Sequence, residues 1–236
     1  MLTHALGCLG AALSMSLSWP QVVQSCVRRR TTGLSGTASS LGVALPIGWI
    51  TYGLLSGEHI QIVTNVVTGS AGLAILVALL ATQPAMRAGR SLRLSAAAAA
   101  LVIAPVLLSG LAAALPGVRA SQVAPLLGIV LAGVSVVSAI PQPLALLRDR
   151  HQDLSGLSPA RWRMGAGAAA SWLIYGLGTA QPAVWASAGV GLASALIVCA
   201  VLHLRRETTP ATAPAGIGAA RWRDSVTTRT LAMAGV

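Results

Sequence analysis

Apolar residues in this chain gather into long runs separated by short polar breaks. Seven runs can be marked, at about 4–26, 39–55, 60–82, 94–115, 122–147, 163–178 and 183–203. A helix of about 20 apolar residues crosses the roughly 30 Å hydrocarbon core of a bilayer. The pattern therefore predicts an all-α membrane protein with seven transmembrane helices, some of them tilted to fit their length. Gly and Pro recur inside the runs, which membrane helices tolerate. The first run has no basic residue before it and three after it, the wrong polarity for a cleaved signal peptide, so it is expected to be retained. Residues 204–236 are rich in Thr, Ala, Pro and Gly without apolar periodicity and predict a disordered tail.

Composition agrees with the pattern. Hydrophobic residues make up 55% of the 236 and charged residues 9%, against about 25% charged in a soluble domain. The net charge of +11 raises the question of nucleic acid, and the positions of the arginines answer it. Alternate loops carry Arg28–Arg30, then Arg87, Arg90 and Arg93, then Arg148, Arg150, Arg161 and Arg163, and the tail carries five more. Only Arg119 falls on the other side. The positive-inside rule then puts the N-terminus outside and the C-terminus in the cytoplasm, with the bilayer rather than nucleic acid as the partner.

Missing residues narrow the chemistry. There is no Lys, so a retinal or pyridoxal Schiff base and a phosphate-loop Lys are excluded. Cys8, Cys26 and Cys199 lie in apolar stretches without metal-ligand spacing and predict neither disulfides nor a metal site. Glu58, Asp149, Asp153, Glu207 and Asp224 all lie outside the runs, leaving no carboxylate pair for an intramembrane aspartyl protease and no acid for a proton relay. Gly33-Leu34-Ser35-Gly36 looks like the nucleophile motif of intramembrane serine proteases. It lies in a loop, however, and no mid-span His could serve it as base. No enzyme and no cofactor are expected.

The chain repeats itself. Pro20-Gln21, the Arg28–Arg30 cluster, Gly33-Leu34-Ser35 and Trp49-Ile50-Thr51-Tyr52-Gly53-Leu54 are followed by an apolar run. Pro141-Gln142, Arg148 and Arg150, Gly156-Leu157-Ser158 and Trp172-Leu173-Ile174-Tyr175-Gly176-Leu177 are followed by another. The offset is 121 at the Pro-Gln pairs and 123 from Gly33 onward, so two residues are added in the second loop. This gives a three-helix repeat at 1–83, a linker with the fourth helix at 84–121, a second repeat at 122–203 and the tail at 204–236. An odd number of spans per repeat, plus one linker, inserts both bundles in the same orientation. Ala-Arg-Trp-Arg also occurs twice, at 160–163 and 220–223; Trp162 is expected to anchor at the membrane interface.

This order of motifs resembles the PQ-loop transporters, and the 3+1+3 layout resembles the SWEET sugar facilitators and their half-size SemiSWEET relatives, over roughly 5–203. The resemblance implies that Pro20 and Pro141, with Gln21 and Gln142, act as hinges. It implies that Trp49 and Trp172 line a substrate pocket, where an indole face can stack on a sugar ring, and that Tyr52 and Tyr175 close an outer gate. The Trp and Tyr of each pair stand three residues apart, on one helix face. Pro46 and Pro105 have no partner in the other repeat and predict simple kinks.

Asn65 is an amide inside the third run, costly there unless it has a partner or lines a wet cavity. Its donors and acceptors suit a sugar hydroxyl; an interhelical hydrogen bond is the competing role. The second repeat has Ala188 at that position, beside Ser187, which aligns with Thr64 and restores one hydroxyl. An asymmetric pocket is expected. The function expected is alternating-access facilitated diffusion, across the plasma membrane, of a small neutral polar solute, with a sugar first among the candidates. An amino-acid or metabolite exporter and a non-transporting receptor are the alternatives, and assembly into homo-oligomers is left open.

Overall fold

The computed structural model describes residues 1–32, 34–148 and 158–207, without the side chains of Gln142, Arg206 and Glu207. Gly33, Asp149, Arg150, Asp153, Gly156, Leu157 and the tail from 208, with Trp222, lie outside the described residues. The described chain is helical: α1 (Leu2–Val22), α2 (Gly36–Ser56), α3 (His59–Thr82), α4 (Gly89–Ala113), α5 (Ala120–Ala139), α6 (Pro141–Arg148), α7 (Pro159–Gly178) and α8 (Pro182–Glu207). By its contacts the chain divides into Met1–Leu202 and His203–Val236, and of the second unit only the end of α8 is described.

Six of these stretches are long and apolar enough to cross a membrane, α5 and α6 counting as one. The exception is α7, which opens with Arg161 and Arg163 and continues through Gly, Ala and Ser. Outward faces are apolar: Leu107, Leu108 and Leu111 on α4 and Ile129 and Val137 on α5 are all more than 60% exposed. In water such faces would be a liability; in a bilayer they are the solvent contact of a multi-pass membrane protein.

The Gly-Leu-Ser motifs cap helices. Ser35 has an extended backbone and accepts a hydrogen bond from the Ala38 N–H at 3.3 Å. Ser158, 123 positions on, accepts from the Arg161 N–H at 3.4 Å, with Pro159 opening α7. Each satisfies one of the donors that a helix start leaves open. The Ser35 hydroxyl is thus a structural cap.

Packing rests on small residues. A Cβ on Gly72 would stand 2.2 Å from the Gly42 carbonyl oxygen, so α3 lies directly on the backbone of α2. The core is built by Val102 of α4, Leu127 and Leu131 of α5, Tyr52 of α2 and Tyr175 of α7. The fourth helix therefore does more than connect, since its Val102 is wholly buried and it packs on both α2 and α5. A smaller cluster joins Leu146 of α6 to Val198 and Leu202 of α8, and Trp162 packs against it. That contact gives Trp162 a packing partner beyond the interfacial anchoring expected of it.

The two Pro-Gln pairs come to different ends. α1 runs through Pro20 and widens into a π-helical turn at Val23–Val27, where the Arg28 N–H reaches back five residues to the Val23 carbonyl at 3.0 Å. α5 instead stops at Ala139. Ile140 keeps helical dihedrals (φ −78°, ψ −39°), but Pro141 brings no N–H to the ladder and opens α6.

Candidate functional site

α3 carries Gln61, Thr64, Asn65 and Thr68 at helical spacing, a stripe along one face. That stripe borders a cavity of about 380 Å³ between α1, α2, α3, α5, α7 and α8. Trp49, Asn65, Trp172 and Ser187 all line it, and so does Ala188. The four residues expected in a pocket thus share one cavity. Asn65 lies in the second turn of α3, which begins at His59.

Each tryptophan is braced by the tyrosine one turn on. The Trp49 and Tyr52 rings meet edge to face with centroids 5.5 Å apart, and Trp172 and Tyr175 repeat this at 5.4 Å. The indole N–H groups differ. That of Trp172 donates to the Ser14 hydroxyl at 3.0 Å. Among the described residues that of Trp49 has no hydrogen-bond partner and remains available in the cavity. Gly10 gives the Trp172 ring room, for a Cβ there would stand 3.2 Å from the indole nitrogen.

Asn65 donates to the Gln61 carbonyl at 2.8 Å and weakly to the Gln61 amide oxygen at 3.4 Å. Its partner is its own helix rather than a neighbouring one, and among the described residues its oxygen has no hydrogen-bond partner.

The tyrosines are buried at one end of the cavity, Tyr52 at 5% and Tyr175 at 0% exposure. The Tyr175 hydroxyl donates to the Glu58 carboxylate, tying the end of α7 to the start of α3. His4, at the start of α1, lies edge-on to the Tyr175 ring with centroids 6.5 Å apart. From the tryptophans the cavity extends away from this end, toward Thr68, Ala139 and Gly165.

The expected hinges stand outside the cavity. Pro20 is exposed, and Gln21 donates to the Ser25 hydroxyl at 3.0 Å, so it braces the π turn. Pro141 sits at the α5–α6 break, and the side chain of Gln142 lies outside the described residues.

Five residues take places that the sequence reading did not assign them. Gln61 is buried in the cavity wall and was signalled by the α3 stripe. Ser14 and Ser135 both line the cavity, and the 121-residue offset of the Pro-Gln pairs relates them. Glu58 lies outside the apolar runs, as expected, yet pairs with Tyr175; Gln181, 123 positions on, is buried just before α8. Among the described residues no cluster of three metal-ligating side chains occurs, and the three cysteines are free.

No protein-family model matches the chain, and no curated protein matches it by sequence. Its fold is similar to that of a solved eukaryotic SWEET transporter, with a TM-score of 0.70 over 88% of this chain and 98% of that one, at 15% identity. At that identity the likeness establishes the fold.

Proposed function

We propose that this protein is an alternating-access carrier for a small neutral polar solute, a sugar before all others, working by facilitated diffusion. The observation that carries the reading is the cavity itself: two tryptophans 123 positions apart and the polar stripe of α3 face one space, which the tyrosine end closes. The fold shared with a SWEET transporter supports it.

In this reading α7 also crosses the membrane and brings the spans to seven, its arginines at the cytoplasmic surface, and α4 joins two parallel three-helix repeats. The arginine distribution puts the N-terminus outside and the C-terminus in the cytoplasm of the plasma membrane. Tyr52, Tyr175 and Glu58 then close the outer end, and the cavity opens inward. Trp49 and Trp172 stack on the solute while Asn65 and Ser187 bond its hydroxyls. The Pro20 and Pro141 regions flex as the repeats rock. No covalent bond is made.

Counterflow in proteoliposomes of the purified chain tests this, with labelled sugars and labelled amino acids as separate arms. Sugar exchange above empty vesicles is the expected result. Exchange of amino acids alone would transfer the reading to a metabolite exporter. Binding without exchange in either arm would replace it with a receptor.

A further inference from the structure

Helices α3 and α8 form two walls of the cavity, and the 123-residue offset allows a position-by-position comparison. Gln61 corresponds to Val184, Thr64 to Ser187, Asn65 to Ala188 and Thr68 to Gly191, and all eight line the cavity. Three of the four polar side chains on the first wall thus face apolar or absent side chains on the second.

The hydrogen bonds sharpen the difference. Thr64 and Thr68 donate to the carbonyls of Ile60 and Thr64, at 2.7 and 2.9 Å, leaving oxygen lone pairs toward the cavity. Asn65 keeps its oxygen free, and among the described residues the Gln61 amide N–H groups have no acceptor. The α3 wall therefore offers several acceptors and a donor at close spacing, which suits a row of hydroxyls. The one α8 hydroxyl in the lining, that of Ser187, donates to the Ala183 carbonyl at 2.9 Å. The unspent indole N–H is that of Trp49 and the spent one that of Trp172. Among the described residues no Asp, Glu, His, Lys or Arg lines the cavity, so a charged solute would find no counter-ion there.

A polyhydroxylated ring with hydroxyls around its whole edge fits this site poorly. On one side each hydroxyl meets a partner; on the other it loses water against Val184, Ala188 and Gly191 and gains nothing. We infer that the site takes a neutral amphipathic solute with hydroxyls along one edge and bare carbon along the other, a deoxysugar being the simplest class. The hydroxyls lie against Gln61, Asn65 and Thr68 and the deoxygenated edge against Val184 and Ala188. This rests on the carrier reading and narrows it.

The test is counterflow by the purified full chain, with D-glucose and its 2-, 3-, 4- and 6-deoxy analogues compared as competitors. At least one analogue should compete about five- to tenfold more tightly than D-glucose, the effect of removing one hydroxyl that has lost its water without a partner. In Val184→Gln combined with Ala188→Asn the preference should fall to parity or reverse. Asn65→Ala, on the opposite wall, should weaken glucose and the favoured analogue alike. Tighter competition by D-glucose than by all four analogues would overturn the inference while leaving the carrier reading intact, and that comparison needs only the unaltered protein. A preference unchanged in a double variant that elutes monodisperse would also overturn it. Absence of exchange for every sugar would overturn both.

Discussion

A half-buried amide, Asn65, and a buried tyrosine bonded to a half-buried carboxylate are the two places whose surroundings allow quantitative tests. Asn65 has one satisfied N–H and one free oxygen in the cavity. Asn65→Ala should leave α3 folded, since the lost bond is local, yet reduce transport about tenfold or more. Trp49→Ala should do the same by removing a stacking face. Initial rates of counterflow against detergent-extracted yield separate transport from folding, and full transport by Asn65→Ala would reduce that residue to packing. At the other end Tyr175 donates to Glu58. Tyr175→Phe should destabilise the protein by about 1–3 kcal/mol, the cost of a desolvated group without a partner. In a Glu58→Ala background the same change should cost much less. Melting curves of the four proteins give the coupling, and additive losses would deny that the pair acts as one unit. Asn65 was legible because polar groups are scarce inside an apolar run. Glu58 was not, because its importance comes from a tyrosine 117 positions away that only folding brings to it.

The helices were legible nearly to their ends. Each apolar run became helical, that at 122–147 as two helices, because a bilayer leaves a spanning segment without β partners little alternative. What the pattern did not show was where a ladder fails. Pro20 and Pro141 have the same neighbour, yet one helix widens into a π turn and the other stops at Ile140. The surroundings decide: Gln21 braces Ser25, wholly buried at the π turn, while the chain after Pro141 starts a short new helix toward the Val198 cluster. A hinge working through an interrupted ladder should depend on the interruption. Pro141→Ala supplies the missing N–H and should fuse α5 to α6, lowering the counterflow rate several-fold with no loss of melting temperature. Pro20→Ala should have the smaller effect, because the π turn persists without it. Equal effects, or none, would take the hinge away from Pro141.

Among the described residues, the acidic and basic side chains of the helices stand near helix ends and none of them lines the cavity. The cavity is lined by Trp, Ser, Thr, Asn, Gln and small apolar side chains, and Glu58 is bonded to Tyr175. Coupling a solute to a proton gradient requires a group that changes protonation and also senses the solute or the cavity's open side. Glu58 does not line the cavity, and among the described residues no His, Asp, Lys or Arg does. The repeat supplies no second acid either, since the position 123 residues beyond Glu58 is Gln181. The charge that is present works at another scale: in the proposed reading the arginines, at helix ends and between helices, set orientation. Transport should therefore run down the solute gradient and stop at equal concentrations. Proteoliposomes loaded with equal labelled solute inside and out, then given an imposed pH gradient, should show no net movement. Accumulation above the equal-concentration level, abolished by a protonophore, would show that a proton is carried. Glu58→Gln would then identify the carrier: if accumulation vanished while counterflow survived, Glu58 would be the coupling group and the Tyr175 bond its resting state.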